Sequence, residues 1–159
     1  MFTRKTLLGV AMCMAAVIYG VQALTRGHDL SSVRLMEKKL GVVWYNNAGK
    51  EEAIEDILRA GGMDAVRLRI WTSGDYDLNY TLALAQRFSK AGFKIYLDMH
   101  FSDKWVDPRH QETPAAWDNS SLETLADDLQ AYVTSTLQAF TDGGVDLDIV
   151  SQHFLHVLD

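Results

Sequence analysis

Three times the chain runs from helical periodicity through glycine into an apolar strand: "RAGGMDAVRLRIW", "KAGFKIYLDMH" and "DGGVDLDIVS". Strands separated by helices must be parallel, because each helix carries the chain back before the next strand begins. An earlier short strand ending in "TRGHD" completes the order β-α-β-α-β-α-β. The helices are legible too. "EEAIEDILRAGG" sets Ile54, Ile57 and Leu58 at helical spacing behind a run of acids. "DLNYTLALAQRFSKAG" opens on Asp77 as an N-cap, repeats apolar residues at Leu78, Leu82, Ala85 and Phe88, and stops at Gly92. "SSLETLADDLQAYVTSTLQAFTDGG" carries Leu122, Leu125, Leu129, Val133, Leu137 and Phe140 on one stripe.

Two architectures fit this α/β order: an open doubly wound sheet, or the N-terminal half of a (β/α)8 TIM barrel with about four strands and three helices. Strand parity favours the barrel. Val66, Leu68 and Ile70 share one face of "DAVRLRIW", and Arg67, Arg69 and Trp71 the other; in "FKIYLDMH", Ile95, Leu97 and Met99 alternate with Tyr96, Asp98 and His100. An open sheet covered by helices on both sides shows near-continuous apolar strands. Charge on one face is costly unless it is paired or close to water, as it is inside a barrel near the strand ends. A buried structural ion pair between Arg67 and Asp98 is the plainer reading of the same pattern.

The stretch "DMHFSDKWVDPRHQ", residues 98–111, then becomes the end of the third strand and its βα-loop, on the face where barrels build active sites. Carboxylates, imidazoles and an indole together suit a sugar, whose hydroxyls need donors and acceptors while its C–H face stacks on an aromatic ring. A metal held by Asp98, His100, Asp103, Asp107 and His110 is the alternative, but the spacing beyond Asp-x-His matches no strong ligand motif. The sequence reading therefore places no metal and no cofactor. A formal net charge of -6, with no basic patch, argues against nucleic acid as a partner.

Residues 1–23 form a separate unit. Arg4 and Lys5 precede the apolar "TLLGVAMCMAAVIYG", and "VQA" ends in small residues at Val21 and Ala23, the order of a cleaved secretory signal peptide. An uncleaved anchor is the other reading, but the apolar run falls short of the ~20 residues that span a bilayer. Cleavage would remove Cys13, the single cysteine, and leave a secreted, extracellular chain with no membrane partner and no disulfide. Asn79 and Asn119 head glycosylation sequons, which have meaning only on a secreted chain.

"RGHDLSSV", "VRLRIW", "YDLNYTLALAQRFSKAGFKIYLDMHFSDKWVDPRHQ" and "DIVS" resemble the endo-β-1,4-galactanases of glycoside hydrolase family 53, in particular the secreted fungal arabinogalactan enzymes. The resemblance runs over residues 24–151, and its most specific element is Asp-x-His-x-Ser-Asp-x-Trp-x-Asp-Pro at 98–108. It implies a (β/α)8 barrel that hydrolyses β-1,4-galactosidic bonds of pectic galactan with retention of configuration, with plant cell-wall galactan or arabinogalactan as the partner. Arg67 then matches an arginine that orients the nucleophilic carboxylate, His100 a histidine lining the cleavage subsite, and Trp105 an aromatic near the bound galactan. Asp29, at the end of the first strand, and Asp103, inside the 98–108 pattern, join them as substrate-binding residues.

The same resemblance exposes departures. "GHDL" and "TSG" differ locally from the family and would alter subsites only. After "IVS", however, the family continues Ile-Gly-Asn-Glu, whereas this chain reads "QHFLHVLD", so Leu155 stands at the acid/base glutamate. The nucleophile would come from strand seven, beyond the chain end. The expectation is a partial barrel domain over 24–151 with a divergent tail at 152–159. Such a chain looks truncated, has no catalytic residue of its own and is inactive alone. The alternatives are a non-catalytic galactan-binding piece, a non-functional fragment, or, further off, a metal-dependent hydrolase.

Overall fold

The computed structural model describes residues 24–153 apart from 108 and 111; the signal-peptide reading for 1–23 and the acid/base position at Leu155 lie outside the described residues. In chain order the elements are β1 (Gly27–Asp29), α1 (Val33–Leu40), α2 (Ile54–Ala60), β2 (Ala65–Ile70), a 3-10 turn (Gly74–Tyr76), α3 (Leu78–Lys90), β3 (Lys94–His100), α4 (Leu122–Asp142) and β4 (Leu147–His153). All three strand pairings are parallel and the strands lie side by side in sequence order, β1-β2-β3-β4. That order separates the two expected architectures. A doubly wound sheet reverses its strand order at a switch point, whereas a barrel wall adds each strand beside the last. The chain follows the barrel.

Four α-helices are present among the described residues, one more than expected. The addition, α1, is rich in charge and buries only Val33, although Val33, Met36 and Leu40 recur at helical spacing. Its ends are nevertheless marked. Gly41 adopts a left-handed conformation (φ 63°) and donates its N–H to the Met36 carbonyl, and Lys38 and Lys39 sit in the last turn, where cations favour the helix dipole.

The helix limits of α3 are set by its sequence. Asp77 accepts a hydrogen bond from the Tyr80 N–H at 2.8 Å, satisfying a donor that the helix cannot. At the other end Gly92 is left-handed (φ 83°), and the Phe93 N–H returns to the Phe88 carbonyl at 3.1 Å. The two phenyl rings meet edge to face across this turn, 5.5 Å apart. A side chain at Gly92 would collide with Arg59, whose guanidinium binds the Ala91 and Gly92 carbonyls. Asp77→Ala is expected to lower stability by about 1 kcal/mol in urea denaturation, the usual cost of an N-cap.

The parity reading holds across both central strands. Val66, Leu68, Ile70, Ile95, Leu97 and Met99 are at most 1% exposed and pack against Leu84, Ala85 and Phe88 of α3 and Phe140 of α4. Outside this layer Arg87 of α3 binds Glu37 of α1 (2.6 Å) and Glu55 of α2 (2.6 Å), tying three helices together. Burial alone would raise the Glu55 carboxyl, but the hydrogen bond and charge of Arg87 hold it below its ordinary value. On α4 the stripe begins at Leu125 rather than Leu122, which is 76% exposed in the first turn. The helix starts at a capping box of Ser121 and Thr124.

β4 joins with an irregularity. Leu147 aligns with Ile95 and Ile149 with Tyr96, so Asp148 is the extra residue, and its carboxylate accepts the Ile95 N–H at 3.0 Å. The bulge restores parity beyond it, which turns Ser151 toward the same face as Asp98.

Candidate active site

Parallel register brings the polar ends of all four strands together. Asp29 aligns with Arg67, Arg69 with Asp98, and Asp98 with Ser151. The Arg67 guanidinium forks between two carboxylates: Nη1 donates to Asp29 Oδ2 and Nη2 to Asp98 Oδ2. Thus the ion pair read from the sequence exists, and it is one arm of a larger network. Asp98 Oδ2 also lies 2.7 Å from His100 Nε2, and Asp98 Oδ1 accepts the Ser151 hydroxyl. Asp29 Oδ1 is held by the Ser31 N–H (2.9 Å) and hydroxyl (2.6 Å).

The Asp98 side chain is fully buried and His100 only 2% exposed. Burial by itself would raise the Asp98 carboxyl. Hydrogen bonds from His100 and Ser151 and the Arg67 charge outweigh it and bring the group down to about 2. Asp98 is therefore a carboxylate at any ordinary pH. It orients His100 through Nε2 and steadies Arg67; it has no proton to give.

Beside this network stands an aromatic group. Arg69, one inward position beyond Arg67, places its guanidinium 4.7 Å from the Tyr76 ring centroid and 4.9 Å from that of Trp105. Trp71 meets Tyr76 edge-on at 4.6 Å, and the His100 and Trp105 rings are 6.0 Å apart. Trp105 is 52% exposed. A cavity of about 280 Å³ extends from Asp29 and Arg67 down the inward face, past Tyr96 and Ile149.

Asp103 takes a different position from the other candidates. Its Oδ1 accepts the hydroxyls of Thr72 (2.8 Å) and Ser73 (2.7 Å), and its Oδ2 accepts the Ala115 N–H (2.8 Å). Burial opposes ionisation there, but those three donors, led by Ala115, hold the carboxyl below its ordinary value. Asp103 binds the loop after β2 to the loop after β3. Asp107 and His110 pair with each other at 3.0 Å on the exposed surface. The five residues weighed as metal ligands thus fall in three separate places. Among the described residues no three His, Cys, Asp or Glu side chains gather to hold a metal ion. Asn79 and Asn119 are both exposed.

Sequence reasoning brought Arg67, His100, Trp105 and Asp29 to one end of the sheet, and the structure places them there. It overlooked Ser31, Tyr76 and Ser151. Ser151 carried a signal, since it lies near the end of a strand in register with Asp98, but the bulge at Asp148 had to be known first. Tyr76 carried none; its ring meets Trp71, Tyr80 and Arg69 only once the loop after β2 has turned back on the strand.

The profile of glycosyl hydrolase family 53 matches residues 25–152. The chain belongs to this family. Among its relatives, the arabinogalactan endo-beta-1,4-galactanase A of Aspergillus niger is 42% identical over 133 residues, covering 81% of this chain and 38% of that protein. The probable arabinogalactan endo-beta-1,4-galactanase A of Aspergillus fumigatus is 36% identical over 154 residues, covering 95% of this chain and 43% of its own length. A solved fungal beta-1,4-galactanase superposes with a TM-score of 0.75 at 40% identity, over 79% of this chain and 38% of that one. The family 53 catalytic domain of Ignisphaera aggregans gives 0.74 at 29% identity, over 79% and 38%. The chain spans about two fifths of the length of the curated relatives it matches. Its sheet is the N-terminal half of the family's barrel.

Proposed function

We propose that this chain carries the galactan-positioning half of an endo-β-1,4-galactanase site, acts outside the cell on plant cell-wall galactan or arabinogalactan, and alone binds that polymer without cleaving it. The observation that carries this reading is the Arg67 fork. The carboxylates at the strand ends, Asp29 and Asp98, are both engaged by one guanidinium, and Asp98 is held at about 2. A retaining glycosidase needs two carboxyl groups about 5–5.5 Å apart, one of them protonated to meet the leaving oxygen. Neither Asp29 nor Asp98 suits that part, and Leu155, at the acid/base position, has no ionisable group. These residues support recognition. Arg67 supplies donors at the cavity wall, His100 helps fix it through their shared partner Asp98, and Trp105 supplies an open ring for the sugar's C–H face.

Extracellular action is supported by the leader-like order of residues 1–23 and by the exposure of both sequon asparagines. The fungal arabinogalactan endo-galactanases among its relatives support the substrate class. The test pairs two measurements on the purified chain: retardation in gels containing β-1,4-galactan, and reducing-end release from the same polymer. Retardation without new reducing ends is expected, and His100→Ala should weaken the retardation about tenfold. Clear hydrolysis would refute the non-catalytic part of the reading. Migration indifferent to galactan would refute the recognition part.

A further inference from the structure

We infer that Arg69 is a positioning residue, acting through Trp105 to hold that indole as a preformed platform for a galactosyl ring. This rests on the galactan reading above. Arg69 is set apart from Arg67 by its partners. Arg67 faces two carboxylates, whereas among the described residues no carboxylate lies within 4.0 Å of the Arg69 guanidinium. Its Nε is buried with no hydrogen-bond partner there. The groups that do meet its charge are two ring faces, Tyr76 at 4.7 Å and Trp105 at 4.9 Å. A cation so placed is attracted electrostatically by each ring, and more strongly where water is excluded.

The two rings are not equivalent. Tyr76 is fixed from several sides: Trp71 and Tyr80 meet it edge-on at 4.6 and 5.5 Å, and its hydroxyl pairs with the Ser32 hydroxyl at 2.8 Å. The Arg69 backbone is equally constrained, its N–H donating to Ser31 Oγ and its carbonyl accepting the Thr81 hydroxyl. Trp105 lies in a loop and is half exposed. Order therefore passes from a fixed Tyr76 through Arg69 to an indole whose other ring neighbour, among the described residues, is His100 at 6.0 Å. Freezing the ring before the sugar arrives lowers the ordering cost of binding. The ligand class follows from the ring's exposure: the axial 4-oxygen of a galactoside leaves the opposite face as a run of C–H groups suited to an indole.

The experiment uses the 159-residue chain labelled with 5-fluorotryptophan, the Trp105 resonance being assigned by Trp105→Phe, with β-1,4-galactotetraose as the probe. In Arg69→Met, which keeps length and loses charge, the Trp105 fluorine signal should broaden or split before any sugar is added. Affinity for the tetraose should fall at least fivefold. Arg69→Lys should recover a single signal and most of the affinity. Tyr76→Leu, which removes the backing ring while sparing the charge, should reproduce the Met phenotype more weakly, and circular dichroism should match the parent in all three. An unchanged Trp105 signal and unchanged affinity in Arg69→Met would overturn the role of Arg69 while leaving the galactan reading standing. A disturbed Trp105 signal in a family of proteins none of which binds the tetraose, the parent included, would instead overturn the galactan reading and the platform's assignment with it.

Discussion

Asp98→Ala should destabilise the chain by about 3–5 kcal/mol, the usual result of removing one member from a buried charged network. The carboxylate binds Arg67, His100 and Ser151, and all three lose this acceptor at once, Arg67 keeping, among the described residues, only Asp29. Urea denaturation at neutral pH measures the loss as a lower midpoint at constant slope. A dependence on pH isolates the charged part. The group is lowered in the folded chain from 3.8 to about 2. Its contribution is therefore complete above about pH 4, where even the unfolded chain is ionised, and is lost as the pH falls toward 2. That shift corresponds to about 2 kcal/mol, less than the whole cost of the alanine. The gap between parent and Asp98→Ala should narrow by about that amount on acidification and then persist. A gap independent of pH between 5 and 2 would show that Asp98 is not held by charge.

Phe88→Ala should cost a similar ~3–5 kcal/mol with no such dependence on pH. The ring is fully buried between α3 and the outward face of the sheet and closes the turn at Gly92 against Phe93. Truncation leaves a cavity in a layer that can collapse little, because parallel strands fix one wall. Either substitution removes a large part of the 5–15 kcal/mol that stabilises an ordinary domain. Their contrast in acid distinguishes the two faces of one sheet. Equal acid sensitivity of the two variants would contradict the assignment of charge to the inward face and packing to the outward one.

The outward face was readable from the residues because a strand alternates with period two, and Val66, Leu68 and Ile70 can only share a side. Asp77 and Gly92 were readable because a cap and a left-handed stop are local chemistry. Helix α1 was missed although Val33, Met36 and Leu40 recur at helical spacing and Gly41 marks its end: only Val33 is buried, and charge fills the rest of the short segment. Within the site, Arg67, Asp98 and His100 could be placed from parity and resemblance. The role of Asp103 could not, since Thr72, Ser73 and Ala115 come near it only once two loops have closed. The ring partners of Arg69 belong to that class too. Side-chain pairs drawn from different loops leave no periodic trace in a sequence.

That last contact has a bearing on how this end of the barrel can be altered. Because one carboxylate at Asp103 fastens Thr72 and Ser73 from one loop and Ala115 from the other, the two loops behave as a single mechanical part. Lengthening either between its anchor points would pull the donors off the acceptor and loosen both, Trp105 included. Segments grafted from a relative should be tolerated as a matched pair and resisted singly. The freedom to vary subsites here is that of exchanging a whole cassette, with its clasp, rather than of editing one loop at a time.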